Sequence, residues 1–154
     1  MGSSSTRILQ VTLALARWAL VVAVTSLFFA STNGRMEAGH LSLSLPDETP
    51  SHPIPLLDVV VDAAAPALVF ALSSWSRFGR TARRAFGIYA AAASVAAYLV
   101  LHDFRSEFGA TWAPLEVLRG LFAPNVDLLL LWVLLGAPLV ALARRIDLVP
   151  NLAR

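Results

Sequence analysis

The sequence predicts an all-α, polytopic integral membrane protein with four transmembrane helices and both termini in the cytoplasm. Three observations carry that expectation. Four apolar stretches, at about residues 8–30, 56–76, 85–101 and 126–143, run for 17 to 23 residues each, which is within the range of about 17–25 that a spanning helix needs. The loop at residues 76–84 holds Arg77, Arg80, Arg83 and Arg84 and no acidic residue. Arginine in short loops beside membrane spans marks the side that is not translocated. A second basic pair, Arg144–Arg145, closes the fourth stretch, so the arginine-dense elements of a four-span chain gather on one face.

Composition narrows the class further. Hydrophobic residues make up 57% of the 154 and the mean hydropathy is +0.68, more than a soluble domain of this size carries. A water-soluble helical bundle would need polar outer stripes on its helices, and these segments lack them. Every basic residue is arginine, which together with the alanine-rich spans suggests a GC-rich bacterial genome and hence an inner (plasma) membrane. With no cysteine in the chain, disulfides, thiolate metal sites and thiol catalysis are excluded. The pI of about 9.9 reflects arginine at one membrane face. Nothing pairs that charge with the aromatic or groove-reading residues of a nucleic-acid binder, so no nucleic-acid partner is expected.

Taken in order, residues 8–30 form the first span, interrupted by Arg17. A rival reading treats residues 7–17 as the basic start of a signal peptide, 18–29 as its apolar core and Ala30-Ser31-Thr32 as the cleavage zone. The bulky Phe28 disfavours that cleavage site, and a retained span is expected. Residues 31–55 are polar, rich in Pro and Ser, and hold Glu37, Asp47 and Glu48 against Arg35; they belong outside. Within them residues 40–45 alternate with period two, which predicts a short extended segment, and Pro46, Pro50, Pro53 and Pro55 prevent a helix or a central strand from continuing.

The second span, from about Leu56, contains Asp58, Asp62 and Pro66. The third carries Gly87, Ala91 and Ser94 in small-xxx-small pairs, the pattern of a helix that others approach closely. Residues 102–123 return outside, and Leu115, Leu118, Leu121 and Phe122 recur there at helical spacing, which predicts an interfacial helix. Pro124 and Asn125 open the fourth span, where Pro138 predicts a kink.

Candidate chemistry is sparse. Asp58 and Asp62 are four apart and share one helix face; with His102 and Asp127 near the same outer level they form a candidate proton- or cation-binding set. The alternative is that Asp58, Asp103 and Asp127 sit at headgroup level and only Asp62 is immersed, where an isolated charge costs several kcal/mol. Arg17, with the loop residues Arg77, Arg80, Arg83 and Arg84, is a candidate contact for lipid headgroups through snorkelling. No intramembrane histidine pair exists for haem, no HExxH for zinc, and no glycine-rich nucleotide loop. Neither a cofactor nor a catalytic set is expected.

The function expected from these residues is that of a non-enzymatic subunit or accessory protein of a larger bacterial inner-membrane complex, with lipid and other integral membrane subunits as partners. The alternative is a small proton- or cation-coupled transporter that uses Asp62.

Overall fold

The protein's structure, a computed structural model, describes residues 3–73, 81–106, 108 and 113–152. Helix α1 spans Ser3–Ala38, α2 Pro55–Ser73 and α3 Ala82–Asp103. A 3-10 turn at Phe104–Ser106 follows. Helix α4, Pro114–Glu116, passes through a π-helical turn at Val117–Phe122 and a 3-10 turn at Ala123–Asn125 into α5, Val126–Leu152. No strand occurs among the described residues, and four helices are long and apolar enough to cross a membrane, the make-up of a multi-pass membrane protein.

Helix α1 outruns the apolar stretch. Its polar tail, Ser31–Ala38, was expected in a loop but stays helical, because no glycine in a left-handed turn or proline interrupts it before Gly39. That residue has φ 73° and donates its N–H to the Arg35 carbonyl at 2.9 Å, the left-handed ending that glycine adopts without steric cost. Ser31 and Thr32 return their hydroxyls to carbonyls one turn back, at Leu27 and Phe28, which satisfies them inside the helix.

The separate interfacial helix expected at residues 114–122 is instead the start of the fourth rod. Proline at 124 removes the N–H that an α-helical turn would offer to Gly120. The chain widens to a π turn, so the Ala123 N–H reaches the Leu118 carbonyl, and the Asn125 side chain donates to the Leu121 carbonyl at 2.9 Å. The rod therefore continues with its backbone groups re-paired rather than breaking.

Packing makes α1 and α3 a central pair, each touching the other and both α2 and α5, with α2 and α5 on opposite flanks. The core between them is alanine-rich on α3 (Ala85, Ala92, Ala93, Ala96, Ala97) and aromatic at Phe28, Phe29, Phe70, Tyr89 and Phe104. Small α3 residues let the neighbouring backbones close in, and the rings fill what remains. The outward faces are apolar as well. Ile8, Val11 and Leu15 on α1, Val61, Leu68 and Val69 on α2, and Leu130, Leu134, Leu135, Leu139 and Leu142 on α5 are all exposed. A soluble bundle keeps that surface polar; hydrocarbon requires it apolar.

The two ends of the bundle differ in charge. One gathers exposed Arg83, Arg84 and Arg145. The other gathers Glu37, Asp47, Glu48, Asp58, Asp103 and Glu116, and it is there that the side chains with chemistry converge.

Candidate functional site

At the acidic end, the proline-rich residues 46–55 fold into a tight turn in which Thr49 and His52 exchange backbone hydrogen bonds at 3.2 and 3.1 Å. Pro55 then begins α2, where a missing N–H has no consequence because first-turn donors are unpaired in any helix. The turn points His52 inward until the residue is only 7% exposed. Its ring stacks on Phe104, with centroids 3.9 Å apart and planes 19° from parallel. Phe104 is itself held against Phe29 of α1 at 4.6 Å.

Two carboxylates meet one edge of this imidazole. Nδ1 of His52 is 3.1 Å from Asp58 Oδ2, in the first turn of α2, and 3.9 Å from Asp103 Oδ2, the last residue of α3. Asp62, one turn further along α2, lies within electrostatic reach of Asp103, Asp58 and His52. One of its oxygens, Oδ2, is buried without a hydrogen-bond partner among the described residues. A proton on Nδ1 is needed for His52 to donate to Asp58, and a second proton on the ring makes it the cation of the group. The arrangement ties the loop to the ends of two helices. Among the described residues no group of three or more His, Asp or Glu side chains is arranged to hold a metal ion.

Of the candidates read from sequence, Asp58 and Asp62 are brought together; His102 and Asp127 are not part of the group. His102 accepts from Arg105, whose Nη1 is 2.6 Å from the His102 carbonyl oxygen and 3.2 Å from its Nδ1. Asp127 is held by Arg35 through two parallel bonds, at 2.9 and 2.6 Å, the fork-to-carboxylate geometry that arginine favours. That pair joins α1 to the start of α5. His52 lies in the polar stretch at residues 31–55, and no helical spacing in the sequence links it to Asp58. The signal available for it was the stiff Pro-rich stretch six residues before Asp58, which leaves the chain few ways to leave the α2 terminus.

Arg17 is a correction. Expected to snorkel to lipid headgroups, it is 6% exposed and its guanidinium carbon stands 6.0 Å from the centre of the Phe70 ring. The planar cation is accommodated on an aromatic face inside the bundle, a partner that only the helix packing supplies. Arg83 and Arg84 are exposed, and Arg77 and Arg80 lie outside the described residues. Gly87 and Ala91 face outward on α3, with nothing within 4 Å of the position a Gly87 Cβ would take. Ser94 is half-buried and bonds to the Ala90 carbonyl at 2.8 Å. Comparison with protein-family models, with characterised proteins and with solved structures finds no match.

Proposed function

We propose that the chain is a non-enzymatic integral membrane subunit of a larger bacterial inner-membrane assembly, inserted with its arginine end and both termini in the cytoplasm. The supporting observation is the small-residue start of the outward face of α3. Where α1, α2 and α5 present leucine, valine or isoleucine along their outward faces, α3 presents Gly87 and Ala91 in its first half, ahead of Val95 and Leu99 on the same face. Lipid tails gain nothing from a glycine–alanine groove, whereas a second helix packs into it by close backbone approach. Gly87, Ala91 and Ser94 are then the contact residues for a neighbouring subunit's helix.

Purification in mild detergent is expected to co-isolate a stoichiometric partner, and Ala91→Leu, which fills the groove without touching the bundle core, is expected to release it. A stable chain with no partner in native mass analysis overturns the reading, as does partner retention by Ala91→Leu.

A second reading, a small proton- or cation-coupled transporter, is favoured by the buried, unbonded oxygen of Asp62 beside His52, Asp58 and Asp103. Proteoliposome flux separates the two. Transport requires a flux whose pH dependence changes in Asp62→Asn; an unchanged profile removes Asp62 from the mechanism.

A further inference from the structure

Residues 41–45, on the return from α1 to α2, form a strip with two unlike edges. Ser42 and Ser44 are half-buried against α1, while Leu41, Leu43 and Leu45 are 55%, 58% and 41% exposed, the alternation of an extended chain. We propose that this leucine edge inserts into the lipid leaflet at the acidic end of the bundle, at the boundary between acyl chains and headgroups. The proposal rests on the membrane-spanning reading of the four helices. It needs neither the subunit reading nor the orientation, since each end of the bundle meets a leaflet whichever way the chain is inserted.

The strip lies on the outward stripe of α1. Ile8, Leu15, Ala19 and Ala23 are exposed and recur at helical spacing, and Ala30 and Gly34 continue the same face. Over these last two the loop takes the place of lipid. The Ser44 N–H donates to the Ala30 carbonyl at 3.1 Å. A Cβ on Gly34 would collide with the Ser42 carbonyl oxygen, so only glycine at 34 lets the chain pass so close. Asn33 Nδ2 donates to the Ser44 hydroxyl at 3.0 Å, and that hydroxyl donates to Glu37 Oε2 at 2.6 Å. With the serines fixed to α1, the leucines form the new outer surface, which changes from helix to loop without ceasing to be apolar.

Depth points to the same occupant. Arg17 of α1, Phe70 of α2 and Tyr89 of α3 meet at one level of the bundle. From that level Ala30 lies 13 residues along α1, about 20 Å toward the acidic end. Arg84 lies five residues back along α3, about 7.5 Å toward the other end. The foot of the strip is therefore about 27 Å from the exposed arginines, close to the roughly 30 Å of hydrocarbon between the two headgroup layers. Leu45, next to Ser44, stands at the acyl boundary, and Leu41, beyond Gly34, stands toward the headgroups.

Backbone chemistry limits how deep the edge goes. Ser44 makes the only backbone–backbone hydrogen bond of residues 41–45 among the described residues. The other N–H and C=O groups of the strip need water or headgroup oxygens, which hydrocarbon does not supply. The interface offers both an apolar floor for the leucines and polar partners for the backbone. A protein docked here would instead stand over the outward stripe of α1 and displace the lipid that its apolar residues require just below.

The test uses the full chain, which has no native cysteine, reconstituted without other proteins in phosphatidylcholine nanodiscs. Leu43→Cys, Leu45→Cys, Glu48→Cys and Leu134→Cys, all at exposed positions, each carry an environment-sensitive fluorophore. Quenching is read with phospholipids bearing a nitroxide high or midway along the acyl chain, and with aqueous iodide. For Leu43→Cys and Leu45→Cys the expected result is blue-shifted emission, quenching by the high nitroxide and loss of the iodide quenching seen at Glu48→Cys. Leu134→Cys, on the outward face of α5, is expected to be quenched by the midway nitroxide. Iodide quenching of both strip labels equal to that of Glu48→Cys, with Leu134→Cys still quenched from lipid, overturns the proposal and leaves the membrane reading standing. Absence of lipid quenching at Leu134→Cys removes the membrane reading and the proposal with it. Protection of the strip labels from iodide and nitroxide alike, the mark of an edge covered by protein such as a second copy of the chain, also overturns it.

Discussion

The Tyr89 hydroxyl of α3 occupies the place where a Cβ on Gly136 of α5 would stand. The tyrosine is fully buried, and its hydroxyl has no hydrogen-bond partner among the described residues, so glycine at 136 serves close approach rather than a turn. Gly136→Ala is expected to cost about 1–3 kcal/mol as overpacking. Tyr89→Phe removes an unsatisfied polar group and is expected to be neutral or stabilising by about 1 kcal/mol. The double variant should recover part of the Gly136→Ala loss, all read as thermal unfolding in one detergent. An additive double variant would mean the two residues do not meet as described.

His52 secures the loop at residues 39–54 to the ends of α2 and α3. Its replacement by alanine deletes the Phe104 stack and leaves Asp58 and Asp103 facing one another without the imidazole. The expected cost is about 1–3 kcal/mol, concentrated in the loop and visible as faster amide hydrogen exchange there with α5 unchanged. Uniform acceleration across all helices would show instead that His52 supports the whole bundle.

Arg35 and Asp127 form the shortest ion pair among the described residues, at 2.6 Å, yet their side chains are 31% and 62% exposed. Exposed pairs contribute about 0–1 kcal/mol, because solvent screens them. Asp127→Asn should therefore shift stability less than His52→Ala does, despite its better bond geometry, and a larger loss than His52→Ala would place that pair in a lower dielectric than its exposure implies.

Orientation is tested on a chain with no native cysteine. Glu48, exposed in the acidic loop, and Ala82, exposed at the start of α3, are suitable sites. Ala82 is preferable to Thr81, whose hydroxyl accepts from the Arg84 N–H at 3.2 Å and caps α3. A membrane-impermeant thiol reagent on intact cells is expected to label Glu48→Cys and not Ala82→Cys. Labelling of Ala82→Cys from outside reverses the orientation.

How far the architecture could be read in advance depended on which physical signal was local. Uninterrupted apolar runs specify helix number, since each run is long enough to cross hydrocarbon and hydrocarbon leaves an unpaired backbone no alternative to the helix. The i, i+4 spacing places Asp58 and Asp62 on one face by helical geometry alone. Helix ends were less legible. Polarity at Ser31–Ala38 suggested a loop, but helix propagation stops only where the backbone is forced to stop, at Gly39.

What the sequence by itself determined, then, is the four-helix class and the run of arginines beside α3, because both follow from runs and spacings within a single segment. Tertiary structure alone decided which groups meet. His52 against Asp58 and Asp103, Arg17 over Phe70, Arg35 with Asp127, and Tyr89 against Gly136 join residues on different elements, and all but His52–Asp58 are 45 or more positions apart. Such contacts depend on the rotation and depth of each helix in the bundle. Those are set by how alanines, glycines and rings pack across α1 and α3, and no single segment encodes that.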